Sequence, residues 1–379
     1  MRTNRIIFLA AWLVALAPMA GEAQPPGLQR KIVVFQKQVG RQARETVVRG
    51  VGGAVLKHLR LIDGAAVELP APAVAALMRK AEVKRVDEDL TITAIGQPAP
   101  AQPVQQTPWG ITQIHAPSAW GQSTGAEVKL AVLDTGIKLN HRDLQANIAG
   151  GANVINPRKP ADDDNGHGTH VAGTIGAVNN TIGVVGGAPQ VRLYAVKVLA
   201  RNGSGYLSDL VDGLTWCIDN QVRVVNMSLG SSSDNQSFHE AITAASAAGL
   251  TLVAAAGNEG RSQVSYPAAY PEVIAVTATD NSNNLASFSN YGSAVDLAAP
   301  GVSIYSTWND GGYKTLSGTS MASPHVAAVV ALRLALHPGE TASQVKQVLE
   351  ATARDLGPAG WDPRSGAGLV DAAAAVSAP

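Results

Sequence analysis

The sequence predicts an α/β chain of two units. A small α+β unit with a ferredoxin-like element order precedes a larger, doubly wound parallel sheet with helices on both faces. From residue 104 onward, near-continuous Val, Leu and Ala strands alternate with helical segments, as in buried parallel sheets. Charged residues are only 15% of the 379 residues and apolar residues 46%, which favours a large core over disorder. Residues 97–103 contain three prolines and form a linker between the units.

The formal net charge is zero, with 29 basic and 29 acidic residues, but this is an average over unlike parts. Residues 1–103 carry 14 basic and 8 acidic side chains, whereas residues 104–379 carry 15 and 21. The balanced total gives no reason to propose nucleic acid or an anionic membrane as a partner. The single cysteine, Cys217, excludes an intrachain disulfide framework, and we expect it to be a small buried residue of a helix.

The first 23 residues are typical of a secretory signal peptide. Arg2 and Arg5 provide a positive start, residues 6–18 an apolar run, and residues 21–23 small side chains for cleavage. The alternative is a membrane anchor, but the run is shorter than the roughly 20 residues that span a bilayer. We therefore expect a secreted protein, either extracellular or periplasmic.

Residues 24 to about 96 predict the element order β-α-β-β-α-β, which is that of a split βαβ unit. Asp63-Gly64 is a strong hairpin signal between the second and third strands. The predicted elements are a strand at 31–38, a helix at 41–51, strands at 55–61 and 65–69, a helix at 71–81 and a strand at 83–92.

The larger unit alternates predicted strands and helices. The strands are expected at 128–133, 191–199, 222–227, 250–256, 273–278 and 294–297. The helices are expected at 169–178, 207–220, 238–248, 321–336 and 342–353. Parallel sheets of this kind place active sites beyond the carboxyl ends of their strands.

Three polar residues stand at junctions of these elements. Asp134 ends an apolar strand, His167 opens a helix in a Gly-rich segment, and Ser320 stands where a loop enters an Ala/Val-rich helix. Alone, each is more typical of a turn, a structural histidine or a helix cap. Together they supply a nucleophile, a base near neutral pH and an orienting carboxylate, which is what acyl transfer needs.

The local sequence around these residues resembles that of the subtilisin-like serine protease family. The resemblance extends over essentially all of residues 104–379. The segments that carry it are AVLDTGI at 131–137, HGTHVAG at 167–173, LYAVKVL at 193–199, VNMSLG at 225–230, AAGNEG at 255–260 and GTSMASPH at 318–325.

The resemblance implies a subtilisin-like fold and a serine endopeptidase made as an autoprocessed zymogen. Ser320 would be the nucleophile, His167 the general base and then acid, and Asp134 the orienting carboxylate. Asn258 would donate its amide to the oxyanion, together with the backbone N–H of Ser320. His170 and His325 would be structural.

The resemblance also implies where a protein or peptide substrate binds. Two extended segments would clamp it as an added β-strand, while side-chain pockets add preference. A small pocket floor implies a broad, apolar or aromatic preference, and Glu259 at the rim would also admit a basic side chain. Tyr206 and Leu207, with Leu229 of the second clamp segment, would shape a further pocket. The clamp residues are Gly203, Ser204, Gly205, Ser228, Leu229 and Gly230, and the primary pocket is formed by Ala256, Gly257 and Ser265.

A structural calcium site is implied by the same resemblance. Its all-oxygen ligand set suits calcium. The matching residues are Gln105, Asp143, Val178, Asn180, Ile182 and Val184. Ala268, Tyr270 and Val273 match a weaker cation site. We expect the acidic run at 162–164 to be a solvated loop, with a second cation or a preference for basic substrates as alternatives.

The family's precursors imply the domain boundaries. Residues 1–23 would be the signal peptide, 24–103 an inhibitory pro-segment with its linker, and 104–379 the peptidase. We expect the pro-segment to be cut within residues 97–101 and its last strand to block the cleft. Its net charge of +5, with 12 basic and 7 acidic residues, favours docking on the acidic peptidase. The mature enzyme is expected to be a monomer.

Three other functions compete with this interpretation. An α/β-hydrolase esterase needs Gly-x-Ser-x-Gly and another triad order, and the serine segment lacks that motif. A metalloprotease of the His-Glu-x-x-His type is excluded because His167 and His170 lack that glutamate and spacing. A catalytically silent peptide-binding protein on the same fold would normally show a replaced triad residue, and none is replaced.

Overall fold

The structure is a computed structural model that describes residues 27–94, 97–99 and 106–379, with the backbone alone for 93–94 and 97–99. The signal peptide expected at residues 1–23 and Gln105 of the expected calcium set lie outside the described residues.

The first unit is a four-stranded antiparallel sheet with strand order β2-β3-β1-β4. Its element order is the predicted one, and the helices pack on the sheet through Val48 and Leu77. The elements are β1 Leu28–Phe35, α1 Arg41–Arg49, β2 Ala54–Leu59, β3 Gly64–Pro70, α2 Ala73–Leu77 and β4 Val83–Glu88.

Two predictions in this unit need correction. The helix expected at 71–81 covers only Ala73–Leu77, since Pro72 precedes it and residues 78–82 turn toward the next strand. The strand expected at 83–92 divides into β4 and β5 (Thr91–Ala94). The break occurs at Asp89, whose carboxylate accepts hydrogen bonds from Ser208 N and Ser208 Oγ of the second unit, both at 2.9 Å.

The second unit is built on a seven-stranded sheet in which every neighbouring pair is parallel. The strand order is β15-β14-β13-β11-β7-β9-β8. The sequence did not predict β8, because Gly150 and Gly151 interrupt its apolar pattern, and β15 starts three residues later than expected. The strands are β7 Lys129–Asp134, β8 Ile148–Asn153, β9 Arg192–Lys197, β11 Val224–Met227, β13 Thr251–Ala255, β14 Val273–Thr279 and β15 Leu297–Pro300.

Helices cover both faces of this sheet, as predicted. α5 and α8 bury one face in a cluster that contains Leu130 and Val132, and α6 and α7 bury the other, which contains Ala131 and Leu133. α8 is long and apolar enough to cross a membrane, but it is mostly buried inside the protein as a core helix. The helices are α3 Trp109–Gln113, α4 Ala116–Ala119, α5 His167–Gly176, α6 Leu207–Asp219, α7 Gln236–Ala247, α8 Thr319–Leu336, α9 Ala342–Thr352 and α10 Ala372–Ser377.

Two further strands of the early chain pair with the second unit. β5 lies between β10 (Ser204–Tyr206) and β12 (Leu229–Gly230) in an antiparallel sheet. β6 (Gln97–Ala99) pairs with β17 (Tyr313–Ser317), which also pairs with β16 (Ile304–Thr307). The chain therefore joins the surface of the large unit on both sides of residues 95–96.

Basic side chains of the first unit contact acidic side chains on α6 and α7. Lys57 Nζ lies 2.6 Å from Asp209 Oδ1 and 3.2 Å from Asp212 Oδ2. The Arg85 guanidinium donates to both oxygens of Glu240, at 2.7 and 2.8 Å. Arg60 pairs with Asp219. The opposite net charges of the two units thus become specific contacts at their interface.

Candidate active site

Asp134 is the last residue of β7 and is fully buried. Its Oδ1 accepts a hydrogen bond from the backbone N–H of Thr135 at 2.7 Å. Gly136 follows at φ 102°, where a Cβ would lie only 2.6 Å from Ala161 O. The glycine therefore lets the chain turn away sharply and leaves the carboxylate at the carboxyl edge of the sheet.

His167 is the first residue of α5, and its ring meets this carboxylate. Nδ1–H donates to Asp134 Oδ1 and Oδ2 at 2.8 and 2.9 Å. α5 can come this close because residue 168 is glycine, whose added Cβ would lie 2.2 Å from Gly136 O. A carboxylate on Nδ1 places the proton there, so that Nε2 can act as a base.

Ser320 is the second residue of the 18-residue helix α8 and is fully buried. Its Oγ donates to Ser228 O at 3.1 Å, while Ser228 Oγ donates to Ser320 O at 2.9 Å. Ser228 directly follows β11, the neighbour of β7 in the sheet. Ser320 and the Asp134–His167 pair therefore stand at the carboxyl ends of adjacent strands, and the α8 N-terminus favours a developing negative charge.

Asn258 lies three residues beyond β13 and contacts the residue before Ser320. Its Oδ1 accepts hydrogen bonds from both Thr319 N and Thr319 Oγ1, each at 2.9 Å. Because the oxygen takes both bonds, the amide NH₂ lies on the opposite side of the planar group. This geometry suits an amide that donates to an oxyanion.

The structure brings the two expected clamp segments against β5. Ser204 and Gly205 pair with Thr93 and Ile92, and Leu229 and Gly230 with Ala94 and Thr93. Gly203 precedes β10 in a turn at φ 77°. The chain's own residues thus occupy the position expected for an added substrate strand.

The expected primary pocket is braced by a residue that the sequence analysis missed, Asn290. This fully buried side chain donates to Ala256 O at 3.2 Å and to Glu259 Oε2 at 2.5 Å. Gly257, at φ 107°, leaves room for the side chains of Asn290 and Ser265, since a Cβ at residue 257 would lie 2.3 Å from Asn290 Nδ2 and 2.5 Å from Ser265 Oγ. No motif marks Asn290, because it comes from a loop distant in sequence.

The further pocket holds Ile92. This side chain is 1% exposed and belongs to the same buried apolar cluster as Leu207, Leu210 and Leu229. Tyr206 does not join that cluster, because its ring lies 3.7 Å from the Arg30 guanidinium carbon instead.

Asp143 is the centre of the expected calcium set. It is fully buried, and its carboxylate accepts hydrogen bonds from Asn180 Nδ2 and Val184 N at 2.9 Å and from Tyr313 Oη at 2.8 Å. In the described part of the chain no basic side chain pairs with it. Gln106 lies beside the same loop, where its N–H donates to Gly183 O at 2.7 Å.

The prediction of a solvated loop at 162–164 is wrong for its middle residue. Asp162 and Asp164 are partly exposed and pair with Lys138 and Lys197. Asp163 is only 4% exposed and accepts hydrogen bonds instead of pairing with a cation. A polar run in sequence does not reveal that its middle side chain turns inward.

At the weaker cation site expected from the sequence, the structure has the ammonium group of Lys346. Lys346 Nζ donates to Val273 O at 3.3 Å and lies 2.8 Å from Asp296 Oδ1. An ammonium group therefore neutralises this part of the surface, near the residues Ala268 and Tyr270 that were matched to the site.

Three further titratable side chains of the second unit, those of His170, His325 and Cys217, are fully buried. Burial lowers the pKa of His170 to about 3, and its Nε2–H donates to Ile304 O at 3.0 Å. Burial lowers the pKa of His325 to about 4, and its Nδ1–H donates to Met321 O at 2.8 Å. Cys217 is buried in α6, which raises the pKa of its thiol.

Comparisons with known proteins fit this geometry. Residues 125–368 match the model of the subtilase family. The chain belongs to the subtilase family. It is therefore a serine endopeptidase rather than a catalytically silent peptide-binding protein.

Several subtilases are similar over most of their length. A thermostable alkaline protease of Halalkalibacterium halodurans is 47% identical over 287 residues, which cover 76% of this chain and 79% of the relative. The M-protease of Shouchella clausii is 44% identical, covering 85% and 81%. Subtilisin E of Bacillus subtilis is 42% identical over 362 residues, covering 93% and 92%.

We expect Asn258→Ala to lower kcat about 100- to 1,000-fold with little change in KM, the loss known for the corresponding amide in subtilisin. The physical reason is that the donor acts on charge that develops only in the transition state. Steady-state kinetics on a peptide p-nitroanilide would measure both constants. A rise in KM with unchanged kcat would instead place Asn258 in ground-state binding.

Proposed function

We propose that this subtilase is a secreted endopeptidase of broad, apolar-leaning specificity whose precursor cleaves itself. The observation that carries this proposal is the path of the chain's own residues. β5 pairs with the residues directly after Ser228, whose O accepts the Ser320 hydroxyl, and β6 pairs with a strand that ends three residues before Ser320. Only residues 95 and 96 separate β5 from β6 in the sequence. The precursor is thus arranged as its own first substrate.

The chemistry follows from the positions of four side chains. His167 Nε2 takes the proton of Ser320 Oγ as that oxygen attacks the scissile carbonyl carbon. Asp134 orients the ring and stabilises the imidazolium. Asn258 donates to the oxyanion, and His167 then gives the proton to the leaving amine. Water repeats the sequence on the acyl-enzyme and regenerates the Ser320 hydroxyl.

The bond that is cut is inferred from strand register. In β5 and β12, Ala94 pairs with Leu229 and Thr93 with Gly230, so β5 ends opposite the residue after Ser228. Ser228 O accepts the Ser320 hydroxyl. In β6 and β17, Gln97 pairs with Ser317, three residues before Ser320. We therefore propose that the cut lies in the segment that joins β5 to β6, between Ile95 and Gly96, ahead of the range expected from the sequence.

The apolar preference rests on the residues that fill the cleft. Ile92 is buried in the apolar cluster of the further pocket, three residues before the proposed cut. Ile95, directly before the cut, is also apolar, which suits a primary pocket formed by Ala256, Gly257 and Ser265. Main-chain pairing on both sides of the substrate strand keeps recognition broad.

Residues 24–95 act as the inhibitor of the enzyme after this cut. Two interactions would hold them in place: β5 as a strand in the cleft, and the contacts of Lys57, Arg60 and Arg85 with the acidic side chains of α6 and α7. Tethering in the precursor gives this unit a high effective concentration at the cleft. Secretion rests on the signal-like residues 1–23.

Calcium fits the site at Asp143. A fully buried carboxylate without a basic partner among the described residues favours a bound cation. Among the described residues, no hydrogen bond uses the carbonyl oxygens of Val178, Ile182 or Val184. Mostly carbonyl ligands with one carboxylate suit calcium, which would stabilise the loop and leave the chemistry unchanged.

We expect Ser320→Ala to leave the precursor uncut and inert, whereas the wild type produces a fragment that starts at Gly96. Removing the hydroxyl removes the nucleophile for both self-cleavage and substrate cleavage. Gel electrophoresis and mass spectrometry of the fragments would measure this. A wild-type fragment that starts elsewhere contradicts the register, and a Ser320→Ala variant that matures and cleaves contradicts the mechanism.

We expect Arg85→Glu to shorten the lag before activity appears after self-cleavage, since the charge reversal repels Glu240. Adding Glu240→Arg should restore much of the lag. The time course of p-nitroanilide hydrolysis measures it, and raised salt should shorten the wild-type lag. Arg49→Glu, on an exposed part of α1, is the control. Equal lags in all four proteins would contradict the charge contribution.

We expect a calcium chelator to lower the thermal midpoint of the Ser320→Ala precursor and to leave that of Ser320→Ala/Asp143→Asn unchanged. Calcium at 100 times its Kd would contribute about 2.7 kcal/mol to the free energy of unfolding. Differential scanning calorimetry measures the midpoints, with Asp310→Asn as an exposed-acid control. If the chelator lowered the thermal midpoint by the same amount in both proteins, Asp143 would not be a calcium ligand.

A further inference from the structure

Asp163 is a buried carboxylate that the catalytic chemistry does not use. It is 4% exposed, and the described residues pair it with no basic side chain. Five donors converge on it instead. Oδ1 accepts from Thr135 Oγ1, Asn165 N and Gly166 N at 2.9 Å each, and Oδ2 accepts from Thr169 N at 3.0 Å and Thr169 Oγ1 at 2.5 Å.

Four of these donors come from three residues at or just before the start of α5. Gly166 and Asn165 immediately precede His167, and Thr169 lies two residues after it. Helix N-termini leave their first amides without intrahelical acceptors. Gly166, the residue at the N-cap position, has no side chain to supply one, so the carboxylate of Asp163 does so from outside the helix. Asp163 therefore fixes where α5 begins.

Thr135 connects this carboxylate to both members of the Asp134–His167 pair. Its N–H donates to Asp134 Oδ1 at 2.7 Å. Its hydroxyl donates to Asp163 and accepts from Gly168 N, the residue after His167, at 2.9 Å. Lys197 Nζ donates to Thr135 O at 2.6 Å. One threonine is thus bonded to the backbone beside His167 and to the carboxylate of Asp134.

We propose that Asp163 is a positioning residue for the Asp134–His167 pair, acting through the Thr135 hydroxyl and the first amides of α5. The inference rests on the catalytic roles proposed above. The 2.8 Å bond between His167 Nδ1 and Asp134 depends on where β7 ends and α5 begins. Asp163 and Thr135 tie these two points together, and a displacement of about 1 Å there can cost about 100-fold in rate.

The test compares Asp163→Asn, Thr135→Val and Thr135→Ser with the wild-type precursor after self-cleavage. Asp162→Asn is the matched control, since it makes the same charge change at the exposed neighbour. Titration with a covalent serine inhibitor counts active sites, so that kcat is expressed per folded site. The low-field proton resonance of His167 Nδ1–H reports the Asp–His hydrogen bond directly.

We expect Asp163→Asn and Thr135→Val each to lower kcat per site 10- to 100-fold, with KM within twofold of wild type and a displaced resonance. Thr135→Ser, which keeps the hydroxyl, should stay within about threefold, and Asp162→Asn within twofold. The double variant Asp163→Asn/Thr135→Val should have a kcat per site no lower than that of the less active single variant, because the two residues act as one unit. If Asp163→Asn fails to fold, the proposal is tested by comparing kcat per site in Thr135→Val with that in Thr135→Ser.

Unchanged kcat per site and an unchanged resonance in both Asp163→Asn and Thr135→Val would overturn the proposal. A loss of folded sites alone would also overturn it, since Asp163 would then only stabilise the fold. His167→Ala separates this from the catalytic assignment: if that variant keeps its activity, the proposed roles fail, and if it is inactive while Asp163→Asn is normal, only the positioning role fails.

Discussion

The hydrogen bond between His167 and Asp134 is the interaction on which the rest of the site depends. It joins the end of a central strand to the start of a helix that covers the sheet, so the sheet, the crossover and the helix must all be in register for it to form. Gly136 and Gly168 allow the two backbones to approach, since a Cβ at either position would meet backbone oxygen at 2.6 or 2.2 Å. The geometry of the Asp134–His167 pair therefore depends on packing and backbone conformation as well as on the two side chains.

Periodicity predicted the parallel sheet and the helices α5 to α9, but not the short helices α3, α4 and α10. Motifs indicated Asp134 and His167, which the structure brings into hydrogen-bond contact, and Ser320 at the start of α8. Such patterns report what each segment buries, so the buried strands β7, β11, β13 and β14 were predicted to within two residues at each end. They do not report long-range partners. β8 was missed because Gly150 and Gly151 carry no apolar side chain. Asp163 was misjudged because a run of three acidic residues does not show which side chain turns inward.

Asn290 and Ile92 illustrate the same limit within the site. Asn290 contributes to a pocket whose other residues come from the loop after β13, and only the tertiary fold brings them together. Ile92 belongs by sequence to the first unit, yet its side chain is buried in the core of the second. A contact between two units leaves no periodic signal in the sequence of either unit. Sequence patterns could therefore indicate which segment lies in the cleft, but not which of its residues pair with the clamp segments.

The buried cysteine has a practical consequence. Cys217 is the only cysteine of the chain and lies fully covered in α6, where burial raises the pKa of its thiol. A thiol reagent can reach it only when α6 separates from the sheet. Asp209 and Asp212 of the same helix contact Lys57 of the first unit. The rate at which Cys217 is labelled therefore measures local opening of α6, both while the first unit is bound and after it has dissociated. The protein thus contains a natural single-site reporter of its own local unfolding.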